Sequence, residues 1–443
     1  MGKMRFLRLC SSPLKFSPGV LAVVSLLLAG GAAGQANDTD GDGVSNQGAF
    51  GPKQIITLEA VGASSVFAAD LDGDGDKDVL SASYDDDTLA WYQNLDGEGT
   101  FGPQQSITTS ANGAVCIVAA DVDGDGDNDI LSASDLGDTI AWHENTDGAG
   151  NFGPENIITT DAIGATSVVA ADFDSDTDTD VLSTSYGDDR IAWYENTDGA
   201  GLFGVQQIIN GVTDPAYSGY AADLDNDNDT DVLSATYSDN TIAWYKNDGL
   251  GNFGTRKVIS TAAVGATAVF AADLDGDNDI DVLSASEIDN TIAWYENLDG
   301  LGTFGSRNII TTEALGAQSV FAADMDGDGD QDVLSASYVD DTIAWYENTD
   351  GQGSFSSTPV ISSTAEGAWS VYAADLDGDG DKDVLSASYL DDTVAWYENV
   401  GFDNCPDDFN PNQTDSDGDQ IGNTCDACPN DADNDADSDT VCG

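Results

Sequence analysis

The chain has 443 residues, with 12 Lys and Arg against 82 Asp and Glu and a single histidine, for a formal charge of −70. Such acidity repels phosphate backbones, which excludes nucleic acid as a partner. One imidazole, His143, leaves almost nothing that titrates near neutrality for acid–base or nucleophilic catalysis, while 40% hydrophobic residues with 8 Trp, 14 Tyr and 15 Phe exclude a disordered acidic polymer.

Residues 1–34 read as a secretory signal peptide: Lys3, Arg5, Arg8 and Lys15 form a basic region, Val20 to Ala29 an apolar run, and Gly30 to Gly34 a small-residue cleavage region. The apolar run is short for a membrane anchor, and no later stretch is long and apolar enough to span a bilayer. The mature chain is therefore expected outside the cytoplasm, extracellular or at the cell surface. Residues 35–47 hold a short Asp-rich loop, Asp38, Asp40, Asp42, Gly43 and Asn46, a possible calcium loop ahead of the main fold.

Residues 48–400 repeat. The motif Ala-Asp-x-Asp places its first Asp at 70, 121, 172, 223, 273, 324 and 375, and a Trp follows each by 21 positions, at 91, 142, 193, 244, 294, 345 and 396. The one short interval falls in a turn, at Asn247-Asp248-Gly249, where a true structural repeat tolerates a deletion. Each unit predicts four short strands, in the first unit Ser65–Ala69, Val79–Tyr84, Thr88–Asn94 and Phe101–Thr109, and helix signals are absent. Strands apolar on both faces need cover on both faces, as neighbouring propeller blades provide. The fold class is all-β, a seven-bladed β-propeller of four-stranded blades. Phe50–Leu58 looks like a fourth strand and the last unit stops after its third, so the N-terminal strand is expected to complete blade seven and close the ring.

The loop between first and second strands carries the chemistry. In unit one it supplies Asp70, Asp72, Asp74, Asp76 and Asp78 at positions 1, 3, 5, 7 and 9, with Gly75 at position 6 for a sharp bend. The later units repeat it as Asp121, Asp123, Asp125, Asp127 and Asp129; Asp172, Asp174, Asp176, Asp178 and Asp180; and Asp223, Asp225, Asp227, Asp229 and Asp231. Units five to seven give Asp273, Asp275, Asp277, Asp279 and Asp281; Asp324, Asp326, Asp328, Asp330 and Asp332; and Asp375, Asp377, Asp379, Asp381 and Asp383. Calcium takes six to eight hard oxygens from such tight loops, here carboxylates at 1, 3, 5 and 9 and a backbone carbonyl at 7. An oxygen-only set disfavours zinc and copper, and magnesium resists the dehydration such a loop demands.

Units such as Phe321-Ala-Ala-Asp324-Met-Asp326-Gly-Asp328-Gly-Asp330-Gln-Asp332 resemble the FG-GAP/VCBS repeats of integrin α-subunit propellers and bacterial surface proteins. The resemblance implies a seven-bladed propeller with calcium in the first hairpin of a blade. All seven units carry the loop here, whereas integrin propellers carry it in only some, so an integrin-like role does not follow.

The tail, 401–443, holds four of the six cysteines, Cys405, Cys425, Cys428 and Cys442, which suggests local disulfides in an exported segment. Cys405 with Cys425 and Cys428 with Cys442 is the favoured pairing, and spacing leaves other connectivities open. The run Asp403-Asn-Cys405-Pro, Asn410-Pro-Asn-Gln413 and Asp415-Ser-Asp417-Gly-Asp419 resembles a thrombospondin type 3 repeat, which implies a calcium- and disulfide-organised tail with Asp415, Asp417 and Asp419 as ligands. Gln420 and Asn423 depart from that pattern, and the final Asp433–Asp439 stretch stops before its motif completes.

Other candidates read as structural. The serial Trp residues are placed to pack between blades, His143 stands where other units have Tyr, and Cys116 is expected as a small buried hydrophobe. The paired carboxylates Asp86-Asp87, Asp188-Asp189, Asp340-Asp341 and Asp391-Asp392 recur, as turn residues do and a catalytic pair need not. Trp369 lies outside the Trp series and is the better candidate for a surface contact. The expected function is a non-catalytic, calcium-binding adhesion or ligand-binding scaffold taking an extracellular protein or glycan. A carbohydrate-binding or polysaccharide-active protein is the alternative, for which Arg190, Lys246, Arg256 and Lys257 are the few unique cations; a purely structural surface-layer role is the third reading.

Overall fold

Every second strand is Asp-Val/Ile-Leu-Ser-Ala/Thr-Ser/Thr and every third ends Ala-Trp-Tyr/His, so both faces of the blade centre are apolar or small. Neither face can be left to water, and in the structure neither is: all seven second strands are buried along their whole length. The computed structural model describes residues 50–210, 216–356 and 360–401. These lie within the compact unit Gly34–Gly443. The expected signal segment, the Asp38–Asn46 loop and the Cys-rich tail with Asp415, Asp417 and Asp419 fall outside the described residues.

The described strands form seven antiparallel four-stranded sheets, and among these residues there is no helix. In blade one the strands are Ala63–Ala69, Asp78–Ser83, Thr88–Tyr92 and Gln105–Thr108. Leu80 pairs with Trp91 and with Phe67, which fixes the register of the three inner strands. Blade seven takes its outer strand from the beginning of the chain: Gln54–Thr57 pairs antiparallel with Thr393–Tyr397. Phe50 bridges Asn399, and Lys53 Nζ lies 3.2 Å from Asp391. The expected closure is the one observed.

The outer strand begins later than expected. Phe101 makes only an isolated bridge to Asn94, and the ladder resumes at Gln105. The same break follows Phe203 and Phe304, where Val205 and Ser306 stand in place of Pro103, so it belongs to the repeat and not to the proline. Phe101 instead turns its ring edge-on to Trp396 of blade seven, 6.3 Å between centroids.

Hydrophobic clusters form between blades. One joins Val66, Val79 and Tyr92 of blade one to Leu376, Leu385 and Trp396 of blade seven, closing the ring with the same contacts that join its other members. The serial Trp residues pack there as expected. A Cβ on Gly150 would lie 2.3 Å from Cζ2 of Trp91 in the preceding blade, so only glycine lets that turn lie flat on the indole. His143 is buried in the Tyr place, its Nδ1 3.4 Å from the Gly153 carbonyl, and burial lowers its pKa. Cys116 packs on the hydrophobic cluster between blades two and three; the residue is half-buried, its Sγ lies 3.8 Å from the Val168 carbonyl of the next blade, and burial raises the thiol pKa.

The recurrent acidic turns serve backbone geometry. Asp87 sits at φ 60° and its Oδ1 accepts the amide of Gly113 at 2.8 Å in the next blade. Asp138, Asn240, Asn290 and Asp341 repeat this bond, and Asp392 makes it to Gly62, again closing the ring.

Candidate functional site

Antiparallel topology places the loops between first and second strands on one face, together with the Gly-rich turns between third and fourth. In blade one the chain turns tightly because Asp70 collects its own backbone: Oδ1 accepts the Gly73 amide (2.8 Å) and Oδ2 the Gly75 amide (3.0 Å). Asp72 accepts the Asp74 amide (3.3 Å) and Asp74 the Asp76 amide (3.0 Å). Position 6 takes the left-handed conformation expected of it, at φ 100° in Gly75, 69° in Asn228 and Asn278, and 80° in Thr177. Position 4 does so too, from Gly73 at 76° to Ser175 at 63° and Asn226 at 57°. The sequence reading recognised only the first of these bends.

Asp78 is the anchor. It is buried, its Oδ2 accepts the Leu71 amide (2.9 Å) and its Oδ1 the Asn94 amide (2.8 Å), tying the loop to the end of the third strand. Blades two to seven repeat both bonds through Asp129, Asp180, Asp231, Asp281, Asp332 and Asp383.

Asn94 then reaches across the interface, and sequence reasoning missed it. Its buried Nδ2 donates to the Leu376 carbonyl of blade seven at 2.8 Å. Asn145, Asn196, Asn247, Asn297, Asn348 and Asn399 make the same bond to position 2 of the preceding loop, so each acidic loop is held by its own blade and the next. The signal was present, since an Asn stands 16 residues after every position-9 Asp.

Carboxylate oxygens of positions 1, 3 and 9 converge. In Asp70/Asp72/Asp78, Asp121/Asp123/Asp129, Asp172/Asp174/Asp180, Asp223/Asp225/Asp231 and Asp273/Asp275/Asp281 one oxygen from each residue lies within 4.8 Å of the others, a group able to hold a metal ion. Asp74 at position 5 is exposed beside this trio. Position 7 turns its side chain out of the loop: a Cβ on Gly97 would lie 2.6 Å from Asp76 Oδ2, so that carboxylate packs on the Gly-rich turn. Asp127, Asp178, Asp229, Asp279 and Asp330 do likewise against Gly148, Gly199, Gly249, Gly300 and Gly351.

Converging carboxylates repel one another, by roughly 3 kcal/mol per pair at an effective dielectric of ~20 and less where water screens them. Burial raises the pKa of Asp78, Asp180, Asp231, Asp281 and Asp383 to about 7, against two backbone amides that favour the charged form. Burial first, then the position-5 carboxylate, raises Asp72, Asp123 and Asp174, and takes Asp275 to about 6. Buried Oδ1 atoms of Asp174, Asp225 and Asp275 have no hydrogen-bond partner. All-oxygen donors, mutual repulsion and unpartnered buried lone pairs fit a hard divalent cation.

The unique cations have structural partners. Arg190 pairs with Asp188 at 3.0 Å, Arg256 with Asp239 at 2.8 Å, and Lys257 Nζ sits 3.7 Å over the Trp244 ring. Lys246 contacts Asp225 and Asp227. On the opposite face, Trp369 lies between Tyr338 (5.6 Å between centroids) and Tyr389 (5.4 Å), and Tyr389 is 6.3 Å from Tyr84 of blade one.

Fold and site together define a seven-bladed propeller with an acidic, cation-competent loop in each blade. Residues 70–132, 121–183, 172–234, 223–284, 273–335 and 324–386 match the FG-GAP-like repeat, and the chain belongs to that family. These matches stop short of the tail, so its thrombospondin type 3 resemblance has no support from them. No curated protein matches the chain. Among solved structures it is similar to an Agrocybe aegerita lectin that recognises non-reducing terminal N-acetylglucosamine, at 20% identity and a TM-score of 0.53 over 76% of this chain and 85% of that one. It is also similar to virginiamycin B lyase from Staphylococcus aureus, at 14% identity and a TM-score of 0.53 over 78% and 98%. At these identities the likeness is one of fold.

Proposed function

We propose that this is an exported, calcium-stabilised propeller that binds an extracellular protein or glycan and has no catalytic role of its own. The trio at positions 1, 3 and 9 carries the calcium reading, because the same oxygen donors converge in blade after blade. When bound, the ion neutralises carboxylates that otherwise repel, and it stiffens the loops of one face. Asp70, Asp72 and Asp78 and their equivalents would hold it, with the exposed position-5 carboxylate at the rim. The backbone bonds of Asp78 tie the loop in register with the third strand.

Export rests on the signal-like residues 1–34 and on the cysteine-rich end; a thrombospondin type 3-like, disulfide-bonded tail remains part of this proposal. Thermal unfolding in millimolar calcium and in EDTA tests the metal reading. Unfolding at a clearly lower temperature in EDTA is expected, and equal temperatures would refute it.

A second reading, carbohydrate binding, is favoured by the aromatic group Tyr338, Trp369, Tyr389 and Tyr84, since sugar rings stack on such faces. The lectin with a similar fold is consistent with it. Glycan-array binding by the native protein and by Trp369→Ala decides this reading: loss of a glycan signal in the variant supports it, and no glycan signal in either refutes it.

A further inference from the structure

The residue after each Trp-Tyr or Trp-His pair stands beside position 3 of its own blade's loop. It is Gln93 in blade one, Glu144, Glu195, Glu296, Glu347 and Glu398 in blades two, three, five, six and seven, and Lys246 in blade four. Gln93 Nε2 donates to Asp72 Oδ2, which shows how close the position is to the converging oxygens. The glutamates act there as further negative charge, and Glu195 and Glu296 contribute to the raised pKa of Asp174 and Asp275.

Lys246 reverses the sign. Its ammonium contacts Oδ2 of Asp225 and lies 2.7 Å from Oδ2 of Asp227, bridging positions 3 and 5 of its own loop. Asp225 is only 6% exposed, and this position is buried in no other blade. The lysine's hydrogen bond holds Asp227 below the ordinary carboxylate range, and the two carboxylates raise the lysine pKa. Lys246 offsets one of the five loop carboxylates of blade four, whereas a glutamate in the same place adds a sixth negative group in blades two, three, five, six and seven.

The loop itself departs from the others. In blade one Asp70 Oδ1 accepts the position-4 amide, but Asp223 Oδ1 accepts the position-5 amide of Asp227 (3.2 Å). Position 4, Asn226, turns its amide to Asp279 Oδ1 (2.9 Å) and the Gly300 carbonyl (3.2 Å) of blade five. Blade four therefore replaces a loop-internal bond with one to its neighbour.

We propose that Lys246 is a tethered cation in the metal place of blade four, so that the loop Asp223–Asp231 takes no calcium while the other six do. This rests on the calcium reading above and restricts it. A divalent ion entering this loop must expel an ammonium held by two carboxylates; in the other blades no cationic side chain occupies the equivalent position. One blade of the ring then has part of its carboxylate repulsion offset without metal, and calcium depletion loosens the face unevenly.

The test is site-resolved. Crystals of the full chain grown with calcium are measured at a wavelength where calcium scatters anomalously, and calcium bound per chain is counted by equilibrium dialysis for the native protein, Lys246→Glu and Lys246→Gln. Anomalous peaks are expected in six loops and not at Asp223–Asp231, with one more calcium per chain in Lys246→Glu. Lys246→Gln, which installs the side chain blade one already carries, is expected to gain the same site and serves if the glutamate variant fails to fold. A calcium peak among Asp223, Asp225 and Asp231 of the native protein, or a count that neither variant raises, overturns the proposal. Calcium in none of the seven loops would instead overturn the reading on which it rests.

Discussion

Blade three should be the weakest of the six loops that take calcium, and the reason is backbone strain. Its positions 4 and 6 are Ser175 and Thr177, at φ 63° and 80°, where blade one has Gly73 and Gly75. The left-handed region costs an L-residue about 1–2 kcal/mol, and a β-branched side chain such as that of Thr177 is poorly suited to it. In the closed loop the Ser175 and Thr177 amides donate to Asp172 at 2.7 and 3.0 Å and orient the first ligand, so both residues must occupy that region for an ion to be held. Strain that a metal-free loop relaxes must be restored on binding. For the pair it amounts to about 2–4 kcal/mol, of which glycine's greater freedom in the unfastened chain returns about 1–2. Ser175→Gly/Thr177→Gly is therefore expected to tighten calcium at Asp172–Asp180 by ~1–2 kcal/mol, about tenfold. A Cβ at Gly75 meets nothing within 4 Å, so Gly75→Thr tests the same backbone effect in reverse without a clash and should weaken the first loop. Calcium occupancies refined from crystals equilibrated at graded free calcium measure each loop separately. Blade three filling at the lowest calcium level, with no response to the double glycine variant, would refute the strain argument.

Blade number, closure and the loop register were legible in the sequence because they are periodic. Seven Asp-loops and seven Trp residues at a fixed offset leave few arrangements, and the phase of the repeat showed that Phe50–Leu58 belonged at the other end of the ring. The Gly/Asn alternation at position 6 also foretold a positive φ. What escaped depends on contacts between units. Asn145 donates to Leu71, 74 residues away, and nothing local in Trp-His-Glu-Asn announces an acceptor in the preceding blade. The role of Lys246 was equally hidden: as a lone cation it looked like a candidate for catalysis, and only the fold shows that it reaches back 21 residues to Asp225. Position 7 was expected to offer its carbonyl; that its carboxylate would pack on Gly97 follows from the meeting of two turns that the sequence keeps apart.

Asn145→Ala removes the buried donor to the Leu71 carbonyl (2.8 Å) and should cost about 1–3 kcal/mol in denaturant unfolding; a loss below ~0.5 would show that the inter-blade bond is dispensable. Deleting residues 50–58 exposes the Thr393–Tyr397 edge of blade seven, so aggregation or loss of cooperative unfolding is expected, and a truncated chain that melts like the parent would refute ring closure by the N-terminal strand. The last prediction concerns pH and turns on the position-9 carboxylates. Burial raises Asp78, Asp180, Asp231, Asp281 and Asp383 to about 7 and Asp129 and Asp332 to about 6, against about 3.9 in an unfolded chain. Between these values the folded chain binds more protons than the unfolded one, so stability without calcium rises as pH falls from about 8 towards 5 and levels off near 4. Bound calcium favours the charged carboxylates, and protons then compete with it, so in calcium the protein should lose stability over the same range. Melting temperatures measured across that range in EDTA and in calcium should therefore slope in opposite directions. Parallel slopes would mean that the buried aspartates do not couple protons to the metal.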